Sequence, residues 1–143
     1  MSGDKSIEYY ENGNKQSEGF LLNGEMDGEW TFWYPNGQKM EEGTFKFGKN
    51  HGKVSRWFED GQLMEEGGYS CGGPRLNRKE REERNVIYDG PYKEGFWTKW
   101  YQNGQKMMEG TYKGGSNDGD YVEWSPNGQK MKEGCYRKIE GWV

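Results

Sequence analysis

Five segments of this chain repeat one another around a common turn: Tyr9-Tyr10-Glu11-Asn12-Gly13, Trp33-Tyr34-Pro35-Asn36-Gly37, Trp57-Phe58-Glu59-Asp60-Gly61, Trp100-Tyr101-Gln102-Asn103-Gly104 and Trp124-Ser125-Pro126-Asn127-Gly128. The turn glycines lie 24 residues apart from Gly13 to Gly37, from Gly37 to Gly61 and from Gly104 to Gly128, but 43 apart from Gly61 to Gly104, so the third copy carries 19 extra residues. A fixed period of this length means a repeat array, in which no unit buries its apolar face alone and stability is roughly a nearest-neighbour sum. The chain should be elongated, a single domain of five units at about 5–28, 29–52, 53–95, 96–119 and 120–143.

Within the unit Trp30 to Gly52, runs rich in aromatic and β-branched residues flank Asn36-Gly37. An Asn-Gly pair in that setting is the strongest short-range signal for a two-residue hairpin loop with both central φ angles positive. Each unit then reads as a β-hairpin, closed by a second turn at Gly48 to Gly52, with Lys53-Val54 beginning the next. A two-residue loop sets Trp33 opposite Met40, Trp30 opposite Gly43 and Gly28 opposite Phe45, so that large rings face glycines and can lie flat. Trp97 with Gly110, Tyr112 with Gly95, Tyr121 with Gly134 and Tyr136 with Gly119 repeat the relation. On the other face Tyr9, Trp33, Trp57, Trp100 and Trp124 form a column, with Gln16, Met40, Met64, Met107 and Met131 expected opposite them. One position further along come Glu18, Glu42, Glu66, Glu109 and Glu133. With 24 glycines, no alanine and 16% aromatic residues, long helices are not expected and apolar burial must come from rings laid along a sheet. Both faces carry large apolar side chains, so the sheet must curl or be covered.

The polar lead-in from Met1 to Ser6 should fray, with Ile7 starting the first hairpin over a Phe20-Leu21-Leu22 cluster. Gly141-Trp142-Val143 looks like the start of a sixth copy, leaving a sheet edge that could pair two chains as a homodimer. From Gly73 to Pro91 the third copy is interrupted by a segment holding Arg75, Arg78, Lys79, Arg81 and Arg84 against Glu80, Glu82 and Glu83. It could form one or two exposed helical turns or stay disordered, and it is either a solvated loop or a partner-specific element.

The formal charge of −4, with acids and bases interspersed, offers nucleic acid neither a basic stripe nor a basic tail. A membrane span is not expected, since nothing approaches the ~20 apolar residues it needs; a membrane-peripheral protein with its aromatic face on lipid, or a scaffold, is the alternative to protein binding, and the absence of an apolar signal core points to the cytoplasm. Cys71 and Cys135 fall in different repeats, too far apart to pair, and two reduced thiols fit that compartment. His51 reads as a turn residue. The glutamate column cannot share an ion, because successive hairpins are displaced by roughly 9–10 Å. No acid/base pair, nucleophile pair or metal cluster stands out, so no enzyme, cofactor or metal is expected.

The segment Glu109-Gly110-Thr111-Tyr112-Lys113, continuing through Gly115, Asp118, Gly119 and Tyr121, resembles the MORN repeat, and Gly24 to Trp30 fits it too. The further element Trp33 to Gly43, repeated as Trp100 to Gly110, is similar to the bacterial variant of that repeat, some members of which are described as antitoxin components. The resemblance implies an all-β fold: a single-layer antiparallel sheet of successive hairpins, curved into a groove. It also implies binding of proteins or, in some relatives, lipid attachment or self-association. A protein partner is expected, bound through the groove by Tyr9, Trp33, Trp57, Trp100 and Trp124 and through the insertion by Arg75, Arg78, Arg81 and Arg84. The aromatic column could equally serve as packing. Val54 for the incoming ring, Ser125 for the second ring and Gly68-Tyr69-Ser70 before the insertion depart from the pattern and mark the third repeat as the weakest joint.

Overall fold

The computed structural model describes residues 3–86 and 88–136. The expected sixth copy at Gly141 to Val143 lies outside them. Among the described residues the chain forms ten strands in one open antiparallel sheet, ordered as in sequence. They pair as β1 (Asp4–Tyr9) with β2 (Lys15–Leu22), β3 (Glu25–Trp33) with β4 (Lys39–Lys46) and β5 (Lys49–Trp57) with β6 (Leu63–Ser70). A helix α1 (Arg78–Arg84) follows, then β7 (Tyr92–Trp100) with β8 (Lys106–Lys113) and β9 (Ser116–Trp124) with β10 (Lys130–Tyr136). The first strand starts earlier than expected, because Asp4, Lys5 and Ser6 pair with Leu21, Phe20 and Gly19. Phe20 is 45% exposed and forms no buried cluster there.

The Asn-Gly turn is not the two-residue loop expected there. At the Asn-Gly turn Gly37 N donates to Tyr34 O at 3.0 Å and Tyr34 N to Gln38 O at 2.8 Å, with φ +90° at Gly37 and no positive φ at Asn36. This is a three-residue loop, a type I turn followed by one left-handed glycine that forms a bulge. The both-positive, two-residue loop lies at the other end of the strands, at Asn23-Gly24, Phe47-Gly48 and Gly114-Gly115. His51 is therefore a strand residue of β5.

The extra loop residue moves the register. Trp30 still pairs with Gly43, Gly28 with Phe45 and Phe32 with Glu41, but Trp33 pairs with Lys39, and Met40 falls in the bulge. Gln16, Met64, Met107 and Met131 are displaced in the same way, so the expected ring-over-thioether column does not form. Every strand pair contains such a register shift, and bulges bend a strand and increase its twist.

Since paired residues share a face, two rows cross the whole sheet. One runs Gly19, Trp30, Gly43, Val54, Gly67, Trp97, Gly110, Tyr121, Gly134 and holds the core, with Trp30 4%, Val54 1% and Trp97 0% exposed. The rings lean back onto the preceding repeat. A Cβ built on Gly19 would lie 2.1 Å from Trp30 Cδ2, and one on Gly67 2.1 Å from Trp97 Cδ2. Each indole N–H then reaches a carbonyl of the earlier strand, Trp30 Nε1 to Phe20 O at 2.8 Å and Trp97 Nε1 to Gly68 O at 2.9 Å. Beside this row Arg56 ties three strands together, bonding Glu41 at 2.7 Å and Glu65 at 3.1 Å.

Candidate functional site

The opposite face carries the second row: Glu18, Thr31, Glu42, Ser55, Glu66, Thr98, Glu109, Val122 and Glu133, each paired with the next across a strand boundary. Carboxylates on the outgoing strands thus alternate with small, mostly hydroxylated residues on the incoming ones. The pattern follows from the 24-residue period with side-chain alternation along each strand. A lysine three residues before the glutamate completes the motif: Lys15 with Glu18 at 2.7 Å, Lys39 with Glu42 at 2.5 Å, Lys106 with Glu109 at 2.9 Å and Lys130 with Glu133 at 3.2 Å. The Lys15 hydrogen bond holds the Glu18 carboxyl below its usual range, and Glu18 raises Lys15 in return.

These lysines also meet the aromatic column. Lys15 Nζ stands 5.8 Å from the Trp33 ring, Lys39 Nζ 5.8 Å from Trp57 and Lys106 Nζ 6.0 Å from Trp124. Each ammonium therefore bridges its own repeat's carboxylate and the next repeat's indole, within cation–π range. Trp33, Trp57, Trp100 and Trp124 are half-buried, while Tyr9 is 57% exposed at the end of the column.

A ladder of turn bonds runs along the margin of this column. Tyr10 Oη donates to Trp33 O at 2.6 Å, Tyr34 Oη to Trp57 O at 2.7 Å and Tyr101 Oη to Trp124 O at 2.8 Å. The turn asparagines do the same, Asn12 to Pro35 O, Asn36 to Glu59 O and Asn103 to Pro126 O. Phe58 and Asp60 can donate neither bond, so both are missing between the third and fourth repeats, where Gln102 Nε2 instead donates to Asp60 Oδ2 at 3.3 Å.

Shallow depressions follow the glutamate face from joint to joint. One of about 440 Å³ is bordered by Glu18, Thr31 and Trp33, one of about 340 Å³ by Glu42, Thr44 and Ser55, and one of about 420 Å³ by Glu66, Phe96 and Thr98.

The insertion lies at the other margin. Asn77 caps α1 by accepting from Glu80 N, Arg78 pairs with Glu82 at 3.1 Å, and Arg75 donates to Gly48 O at 3.3 Å. Its neck closes over Lys49, 2% exposed, whose ammonium donates to Cys71 O at 3.2 Å and to Asp89 O. His51 Nδ1 accepts from Cys71 N at 3.1 Å, which gives the histidine a structural partner. Lys49 and Trp57 close opposite ends of β5, roughly 26 Å apart at ~3.3 Å per residue. The two expected sets, the aromatic column and Arg75, Arg78, Arg81 and Arg84, therefore occupy opposite margins of the sheet. Cys71 is buried, Cys135 exposed, and both are free.

Sequence reasoning missed the lysine ladder. The signal was present, as Lys15, Lys39, Lys106 and Lys130 each precede the repeat glutamate by three residues. A family model described as MORN repeat variant matches residues 5–23, 26–47, 50–70, 93–113 and 117–138. Comparison with curated proteins gives no match.

Proposed function

The chain belongs to the MORN repeat variant family, and from that premise we propose that it is a non-enzymatic protein-binding module that receives its partner on the glutamate face. Repeats of this family are generally protein- or lipid-binding modules. The observation that carries the reading is that this face, crossed by the Glu/Thr/Ser row and bordered by the Lys–Trp bridges, is covered by no other described element. Its chemistry recurs at roughly 9–10 Å, two strand spacings, which suits an extended partner surface. Opposite charges placed side by side offer hydrogen bonds and ion pairs rather than the apolar surface a lipid interior takes. No helix among the described residues is long and apolar enough to cross a membrane. Within this class we place the chain with the antitoxin, immunity or regulatory proteins, acting in the cytoplasm, a placement supported by the resemblance of the Trp33 to Gly43 element to the bacterial variant of the repeat.

Cross-linking capture from the source cells, run beside flotation with anionic vesicles at physiological salt, tests the reading. The expected result is a protein captured in fixed stoichiometry and no flotation. Flotation without any captured protein sinks it.

A further inference from the structure

Three joints between repeats share one construction on the glutamate face. The ammonium of Lys15, Lys39 or Lys106 sits between the carboxylate of its own repeat and the indole of the next. The joint between the third and fourth repeats keeps the carboxylate, Glu66, and the indole, Trp100, but the residue at the lysine position is Leu63. Among the described residues no cation stands over the Trp100 ring. We propose that the Glu66–Trp100 slot binds a lysine side chain presented by a protein partner, whose ammonium takes the place that the chain's own lysine holds at the other joints.

Glu66 has the capacity for it. It accepts from Ser55 Oγ at 3.0 Å and lies 3.8 Å from Lys53 Nζ. The first repeat shows that a carboxylate holding one lysine takes a second, because Glu18 holds Lys5 at 3.4 Å and Lys15 at 2.7 Å together. Lys53 stands where Lys5 stands, and the second cation is the one missing. The walls suit the stem of a lysine as well as its head. Phe96 is 59% exposed in the adjoining depression, at a position where the other repeats carry Lys5, Glu29, Lys53 and Asp120. Leu63 and Phe96 thus add apolar surface for methylenes at this joint only, while the carboxylate and ring receive the ammonium. The protein-binding reading supplies only the source of the lysine; the slot stands on its own geometry.

The test follows the five-repeat chain by the indole N–H signals of its ¹⁵N-labelled tryptophans. The probe is Nα-acetyl-lysine N-methylamide, compared with its Nζ-acetylated form. The Trp100 signal should move saturably with the free amine and not with the acetylated one, while Trp33, Trp57 and Trp124 stay in place. Glu66→Gln should weaken the response about fivefold. Leu63→Lys should abolish it without loss of fold, since lysine is the residue at this position in the other repeats. An equal response at all the tryptophans, no response at Trp100, or a response retained by Leu63→Lys overturns the slot. Capture of a partner equally well by the Leu63→Lys chain removes the slot from the interface while leaving the protein-binding reading standing. Capture lost in that variant supports both.

Discussion

Gly19 and Gly67 each serve as the floor on which a tryptophan of the next repeat lies. Their backbone angles are ordinary, so what they supply is room: a Cβ at either would fall 2.1 Å from an indole carbon. Gly67→Ala must therefore displace the fully buried Trp97, and we expect a loss of about 3 kcal/mol, the upper end for forcing bulk into a packed site, measured by urea denaturation. Phe47 has the opposite problem. It holds φ +56° in a two-residue turn where the preceding unit uses Asn23 at φ +52°. The left-handed region costs an ordinary side chain about 1–2 kcal/mol, less for asparagine, so Phe47→Asn should stabilise the chain by about 1 kcal/mol in the same assay. A similar residue-level detail settles the other turn. A two-residue loop at Asn36-Gly37 would make Pro35 a hydrogen-bonded partner of Gln38, and proline has no N–H to give. At the second position of a type I turn proline's fixed φ is an advantage, and there it sits. That proline made the true register legible; the weight given to Asn-Gly alone hid it, and with it the displacement of Met40 and the pairing of Trp33 with Lys39.

The insertion behaves as an element of the fold as well as an exposed helix. Of the two readings the charge run leaves open, one or two exposed helical turns or disorder, the first holds, as α1 shows. The anchor was not, because Lys49 occupies a position held by Glu25, Tyr92 and Ser116 in other units and nothing local marks it as buried. Replacing Pro74 to Asp89 by a short Gly/Ser turn would remove the Asp89 partners of a lysine that is 2% exposed. An uncompensated buried charge costs about 3–5 kcal/mol, so the trimmed chain should melt clearly lower, and Lys49→Met within it should recover most of the loss. A trimmed chain that melts like the full one refutes this anchoring role. Asp89 also makes the insertion sensitive to acid. The Leu76 amide, donating to Asp89 Oδ2 at 2.7 Å, holds this carboxyl below its usual value, with the charges of Lys49 and Arg81 adding to the effect. A depressed folded pKa contributes stability that is present above the ordinary aspartate range and is lost as pH falls through the folded value. Protection of the Leu76 amide should thus be complete above about pH 4 and be lost as pH falls through the lower, folded value, and Asp89→Asn should remove that dependence; two-dimensional NMR at several pH values reads both.

At the scale of the whole molecule, a sheet ordered strictly by sequence transmits stability only from each repeat to the next. The weakest joint then decides how the array opens. The joint between the third and fourth repeats lacks the tyrosine bond because of Phe58, the asparagine bond because of Asp60, and the internal lysine bridge because of Leu63. On the core face it is well held, since Trp97 is fully buried and bonds Gly68 O at 2.9 Å. The repeat pattern makes the repair explicit. By the geometry of the other joints, Phe58→Tyr would place its hydroxyl on Trp100 O, and Asp60→Asn would place its amide on Gln102 O in exchange for the 3.3 Å bond that Asp60 Oδ2 accepts from Gln102 Nε2. Each restored bond is worth about 1 kcal/mol. Native-state hydrogen exchange of the original chain should show the fourth and fifth repeats, β7 to β10, opening together at lower free energy than β2 to β5. In the double variant the two halves should draw together by about 1 kcal/mol, the net gain of one bond. If the halves already exchange with the same free energy, the core contacts of Trp97 outweigh the missing turn bonds and the array opens as one unit.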